Sequence, residues 1–273
     1  MSLFISSLNS GSNGNCYYIG NHEDAILIDA GLSCAETVKR LIRSELSIQK
    51  VRAIFISHEH SDHIKGLCVL SKKYQLPVFI TPATLASCKL NLEPHLIRIL
   101  KPYEEKCIGE LCITAFPKIH DACDPHSFIV TCNKVTVGVF TDIGQVCEPL
   151  TLHFSRCNAA FLEANFDDQM LENSSYPYFL KSRISGGRGH LSNAKALALF
   201  RNKKPEYMSH LLLSHLSKNN NCRVLVQNLF NEHAGSTKVV VASREQETAV
   251  YHVQNTPLKH FPKASEYIQT SLF

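Results

Sequence analysis

The chain has 273 residues, 44% hydrophobic and 19% charged, and 28 Lys plus Arg against 24 Asp plus Glu leave a net charge of +4 with histidine neutral. That composition supplies enough apolar material for a large core, and so small a charge does not by itself point to a polyanionic partner. No apolar run is long enough to cross a bilayer, the first ten residues lack a secretory pattern, and the 11 cysteines form no CxxC pair, which together predict a cytoplasmic protein whose cysteines are unpaired core residues.

Hydrophobic periodicity predicts short strands over 3–8, 16–19 and 25–29, separated by Gly/Asn/Ser turns. A helix follows over 33–45, with Ser33 and Glu36 at capping-box spacing. Residues 52–57 read as a strand buried on both faces, 64–74 as a helix and 77–80 as a strand. Strands then dominate over 107–116, 127–132 and 134–140. The second half alternates: strands at 159–163, 211–214 and 238–242, helices at 193–201 and 223–231. The pattern predicts one α/β domain of sheets packed together with helices outside. Residues 246–273 are polar and weakly patterned, and are expected to form a C-terminal extension, either loose or a surface helix.

The most specific signal is His58-Glu59-His60-Ser61-Asp62-His63, which starts where a buried strand ends. A strand end is a rigid platform, and a loop leaving it can fold several side chains onto one point. Imidazoles with a carboxylate suit Zn or Mn, with Fe as a further choice, and not Mg or Ca alone. His58 and His60 can reach one ion, and Asp62 and His63 a second. Asp142 closes the apolar run Val-Thr-Val-Gly-Val-Phe-Thr, where a carboxylate is costly to bury unless paired or bound to a cation.

This run matches the HxHxDH signature of the metallo-β-lactamase superfamily, and the chain resembles that superfamily from about residue 3 to 245. The resemblance implies an αββα four-layer sandwich. It also implies two divalent ions held by His58, His60, Asp62, His63, His120, Asp142 and His215, with Asp29 supporting them and Asp62 also counted among the catalytic residues. True β-lactamases carry a late Cys and lack this Asp-His pair, so drug hydrolysis is not expected.

Phe161-Leu-Glu-Ala-Asn165, Gly189-His-Leu-Ser-Asn193 and Leu213-Ser-His-Leu-Ser217 are similar to elements of ribonuclease Z. That resemblance implies that Glu163 orients His190, which gives a proton to the leaving oxygen while a metal-bound hydroxide attacks. A phosphodiesterase needs such a group beside the departing alkoxide. Further matches at residues 10–16, 120–125, 176–177, 180–184 and 215–220 resemble the YycJ-type (WalJ-type) subgroup, small bacterial relatives of these nucleases. They imply a phosphodiesterase or exonuclease acting on DNA or RNA.

Spacing points to a compact member: 22 positions separate His120 from Asp142 and 73 separate Asp142 from His215, too few for a long substrate-gripping arm or an inserted domain. Substrate grip is therefore assigned to the core surface. Lys181, Arg183 and Arg188, around Gly186-Gly187, are expected to form a basic loop. Ser12 and Asn13 lie on the turn Ser10–Asn15, whose Gly11 and Gly14 let the backbone turn sharply and approach the site. The competing enzyme class is a small-molecule ester or thioester hydrolase of the glyoxalase-II or lactonase kind, which the Glu163/His190 pair argues against. A non-catalytic metal or redox protein is the third class; it is disfavoured because no ligand position is missing. Oligomeric state is left open.

Overall fold

The computed structural model describes residues 2–255. In chain order it runs β1 (Ser2–Asn9), β2 (Cys16–Gly20), β3 (Ala25–Ile28), α1 (Cys34–Arg43), β4 (Val51–Phe55), α2 (Ser61–Ile64), α3 (Leu67–Tyr74), β5 (Val78–Ile80), α4 (Pro82–Ser87) and β6 (Ile97–Ile99). It continues with β7 (Glu105–Ile108), β8 (Leu111–Pro117), β9 (His126–Cys132), β10 (Val135–Phe140), α5 (Glu148–Phe154), β11 (Ala159–Glu163), α6 (Asp168–Glu172), α7 (Tyr178–Ser185), α8 (Asn193–Lys203), β12 (His210–Ser214), α9 (Arg223–Asn231), β13 (Lys238–Val241) and β14 (Tyr251–Gln254).

The strands form two seven-stranded mixed sheets, ordered β14-β1-β2-β3-β4-β5-β6 and β13-β12-β11-β10-β9-β8-β7. Their alternating side chains explain the layers. Leu3, Ile5, Tyr17, Ile19, Ile26, Ile28 and Phe55 point from the first sheet into a core shared with Ile113, Phe128, Val130, Val137, Val139 and Phe161 of the second. The opposite faces bury Leu27, Ile54 and Val78 against Leu41, Leu67 and Leu70 of the helices on one side. On the other they bury Phe140, Leu162 and Leu213 against Leu150, Phe200 and Phe230. Three apolar layers between four layers of secondary structure make the αββα sandwich, and strands buried on both faces explain their continuous apolar runs.

Several expectations change. The helix expected over 64–74 is broken into α2 and α3 at Gly66, whose N–H donates to the Ala30 carbonyl at 2.8 Å. A Cβ at Gly66 would lie 1.8 Å from the Leu32 carbonyl oxygen, so only glycine lets the chain pass there. The strand expected over 107–116 is a hairpin, turned at Gly109 with φ +57°. Across it Cys107 and Cys112 form a disulfide, which corrects the expectation that all the cysteines are unpaired. The capping box at α1 is half formed: Ser33 Oγ accepts from the Glu36 N–H, while the Glu36 carboxylate turns to Arg40.

The extension expected from 246 is neither loose nor helical at its start. Residues 251–254 add to the edge of the first sheet as β14, antiparallel to β1, with Val253 opposite Leu3 and buried in the shared core. Its remainder, 256–273, lies outside the described residues. The basic loop expected around Lys181 and Arg183 is also corrected: both lie on α7, and only Arg188 follows in the loop.

Candidate metal centre and active site

The site forms where strands of both sheets end. Asp29 follows β3, His58 to His63 follow β4, Asp142 follows β10, Glu163 ends β11 and His215 follows β12. These strands run parallel to a neighbour, and the crevice beyond the carboxyl ends of such strands is the usual place for a ligand site. His120 arrives from the loop after β8, and His190 from the segment before α8.

Three of these residues have left-handed backbone: Asp29 (φ +64°), Asp142 (φ +55°) and His215 (φ +57°). Asp and His tolerate that region better than most residues, though it still costs about 1–3 kcal/mol each. The turn aims each side chain back across the strand ends.

His58, His60 and His120 form one cluster. His58 Nε2 lies 3.0 Å from His60 Nδ1, which lies 3.4 Å from His120 Nε2. Asp62, His63 and His215 form a second, with His63 Nε2 3.6 Å and His215 Nε2 3.5 Å from Asp62 Oδ2. Asp142 reaches between them, its Oδ2 3.2 Å from His63 Nε2 and its Oδ1 3.9 Å from His120 Nε2.

The imidazoles are aimed from behind. Asp29 Oδ2 accepts from His63 Nδ1 at 2.7 Å and from Ser57 Oγ at 2.8 Å, and His58 Nδ1 donates to Ser57 Oγ at 2.8 Å. His120 Nδ1 donates to the Gly189 carbonyl at 2.9 Å. Glu163 Oε1 accepts from His190 Nδ1 at 2.8 Å and from His215 Nδ1 at 3.1 Å, while its Oε2 accepts from the N–H groups of Ile143 and Leu191. Fixing Nδ1–H on an outer oxygen turns Nε2 of His58, His63, His120 and His215 inward.

The electrostatics divide the clusters. Burial, reinforced by the His63 charge, pushes His58 well below the usual histidine range, and burial takes His120 down to about 4. Burial also opposes charge on His63, but Asp142, Asp29 and Asp62 lift it to about 10. The same contest lifts His215, through Asp142, Asp62 and Glu163. Burial disfavours ionised Asp142 and Glu163, yet neighbouring imidazoles win: His215 and His63 hold Asp142 well below the carboxylate range, and His190 and His215 hold Glu163 at about 2.

A divalent cation fits this donor set. Asp142 Oδ2 and His215 Nε2 are buried with no aligned hydrogen bond despite close polar neighbours, and such atoms are costly to leave unsatisfied. Imidazole and carboxylate donors converging within bonding reach of common points are what a divalent metal site requires.

The remaining expectations divide. Ser12 and Asn13 do not reach the cluster: they meet Arg244, Ser12 Oγ accepting from its guanidinium and Asn13 Nδ2 donating to its carbonyl. Arg183 Nε pairs with Asp121 Oδ2 at 2.6 Å, and Lys181 Nζ donates to the Glu172 carbonyl. Within the Ser10–Asn15 turn it is Asn15, and not Ser12 or Asn13, that meets the cluster: its amide donates to Asp62 Oδ2 at 3.1 Å and lies 3.0 Å from His63 Nε2. Ser10, in the same turn, accepts from the His215 N–H at 2.7 Å, and Asn165, whose role sequence reasoning missed, donates to the His215 carbonyl at 2.6 Å. Buried Lys118, beside these carboxylates, donates to the Thr141 carbonyl. The available signal was the polar run Ser10–Asn15 between two apolar strands.

Comparisons with known proteins agree with this architecture. The chain is 35% identical to the exodeoxyribonuclease YycJ of Bacillus anthracis, covering 83% of this chain and 87% of the relative. It is 30% identical to the exodeoxyribonuclease WalJ of Streptococcus pneumoniae, covering 81% and 84% respectively. Among solved structures, the metallo-β-lactamase fold protein YhfI of Bacillus subtilis superposes with a TM-score of 0.71 at 18% identity, over 92% of this chain and 99% of that one. The model of the β-lactamase superfamily domain matches residues 24–215, most of the chain, and the protein belongs to that family.

Proposed function

We propose that the protein is a metal-dependent phosphodiesterase that cleaves DNA, with His58, His60 and His120 holding one divalent ion, Asp62, His63 and His215 a second, and Asp142 shared by both. The observation that carries it is the Glu163–His190 pair beside the two clusters. It is supported by the exodeoxyribonuclease activity named for YycJ and WalJ. Zn²⁺ or Mn²⁺ suits the imidazole-rich donors, Fe is also compatible, and the cytoplasm is the compartment we assign. When bound, two such ions supply Lewis-acid charge to a phosphoryl group and acidify water.

The chain's own residues do the rest. Glu163 fixes His190 through Nδ1, so Nε2 is the atom that meets substrate and carries the proton to be transferred. A nucleotide alkoxide is a poor leaving group, and a proton delivered at Nε2 as the P–O bond breaks is worth typically about 10²–10⁴-fold in rate. Asp29, Ser57 and the Gly189 carbonyl keep the other imidazoles from turning, and Asn15 steadies Asp62.

The test is purified protein with Mn²⁺ or Zn²⁺ against labelled single-stranded DNA, duplex DNA, RNA and a thioester. DNA cleavage that chelation abolishes is expected. Turnover of the thioester with no cleavage of any nucleic acid would replace this reading with the small-ester one.

A further inference from the structure

Helix α7 is unusual for a surface helix in burying none of its residues. Its first two, Tyr178 and Phe179, are 86% and 73% exposed, the two highest values for large hydrophobic residues among the described residues. Exposed apolar side chains scattered singly need no explanation, but two adjacent aromatics on an element whose inward face is only half-buried do.

The helix is also fastened to the site. Arg183 ties it to Asp121, the neighbour of His120, and the His190 N–H donates to the Ile184 carbonyl at 2.8 Å. Six residues of helix separate Tyr178 from Ile184, about 9 Å at 1.5 Å per residue, the length of roughly two to three stacked nucleotides. Beside Tyr178 a groove of about 580 Å³ opens between α6 and α7, lined by Phe166, Leu171, Asp168 and Glu172, with the Lys181 ammonium donating across to the Glu172 carbonyl. The carboxylates of Asp168 and Glu172 keep phosphates out of the groove, so a strand crossing here turns its bases towards it. Arg188, exposed in the loop that follows α7, offers a cation to the backbone of a strand leading towards His190.

We propose that Tyr178 and Phe179 form a stacking ledge for unpaired nucleobases of the strand held in the active site, with Arg188 on its phosphates. This rests on the phosphodiesterase reading above. Every base has an aromatic face, so the ledge grips without selecting sequence, and it requires bases freed from pairing.

The test compares the metal-loaded protein with its Tyr178→Ala/Phe179→Ala variant, which should fold because both side chains are exposed. Fluorescence anisotropy measures binding of a hydrolysis-resistant phosphorothioate oligodeoxythymidine and of an abasic strand of equal length. Hydrolysis of a p-nitrophenyl phosphodiester is measured alongside. The parent should prefer the base-bearing strand by about 5- to 100-fold. The variant should lose that preference and keep small-diester turnover, and a Tyr178→Trp/Phe179→Trp variant should retain it. Equal binding of both strands by the parent, or an undiminished preference in the alanine variant, overturns the ledge. So does a changed oligomeric state with preference intact, which would give this surface to a second copy of the chain. Failure of the phosphodiesterase reading would appear separately, as absence of diester hydrolysis in the parent.

Discussion

His190 and His215 turn their Nδ1 atoms to the same oxygen of Glu163, at 2.8 and 3.1 Å. One carboxylate thus orients both the group assigned to proton transfer and an imidazole assigned to a cation. The two roles separate by mutation. His190→Ala should slow DNA cleavage by about 10²–10⁴-fold with cation content unchanged, and should slow an activated aryl diester far less, because a phenolate leaves without a proton. Glu163→Gln should do more, weakening cation affinity as well by about 10- to 100-fold. Elemental analysis and turnover on both substrates check the pair. Loss of cation in His190→Ala would make it a ligand, and unchanged DNA cleavage would remove its assigned role.

Asp142 is the only carboxylate within 4 Å of imidazoles from both clusters among the described residues. Asp142→Asn should keep the fold, since Asn tolerates the same left-handed backbone, but lose the charge that two cations share. We expect two metal ions per chain in the parent, fewer in the variant, and turnover near background. Parental turnover in Asp142→Asn would show that the bridging role belongs elsewhere.

Gly31 sits under the Asp62 loop. A methyl there would lie 1.7 Å from the Asp62 carbonyl oxygen and 2.6 Å from the Asn15 nitrogen, both backbone atoms. The Asn15 N–H donates to that same oxygen at 2.7 Å. Gly31→Ala should therefore cost about 1–3 kcal/mol of stability and displace Asp62, lowering cation content. Ser12→Ala, at an exposed position, is the control expected to change neither. Thermal melts with and without cation, together with elemental analysis, decide it.

Thiol chemistry tests burial. Cys16 and Cys157 are fully buried, and burial pushes both thiols far above their ordinary range, whereas Cys123 and Cys222 are exposed. At neutral pH a thiol reagent should label Cys123 and Cys222 in the folded protein and reach Cys16 and Cys157 only after unfolding. Mass mapping of labelled peptides gives the answer directly.

What could be read from sequence follows from what is local. The run from His58 to His63 sits on six consecutive residues after an apolar strand, and the strands themselves are continuous apolar runs, so both the first ligand cluster and the layered fold leave a linear trace. Asn15 leaves only the polar turn it belongs to, because its partners Asp62 and His63 are 47 and 48 positions away. Helix α7 is hard to see for a related reason: its only apolar stripe is the half-buried pair Leu180 and Ile184, too short to set a period. The strand Tyr251–Gln254 is four residues long, and its half-polar alternation fits a sheet edge and an extension equally well. The Cys107–Cys112 pair became visible only when the hairpin set the two residues opposite each other.

The left-handed turns at Asp29, Asp142 and His215 restrict these positions before any chemistry is considered. At such backbone angles a β-branched side chain meets its own carbonyl, while Gly, Asn, Asp and His are tolerated. A library randomised at these three codons and sorted only for soluble, folded protein would already be depleted of valine, isoleucine and threonine. The amino-acid alphabet at the site is thus narrowed twice, first by geometry and then by function, and a residue surviving the first filter alone can be recovered without any activity to select it.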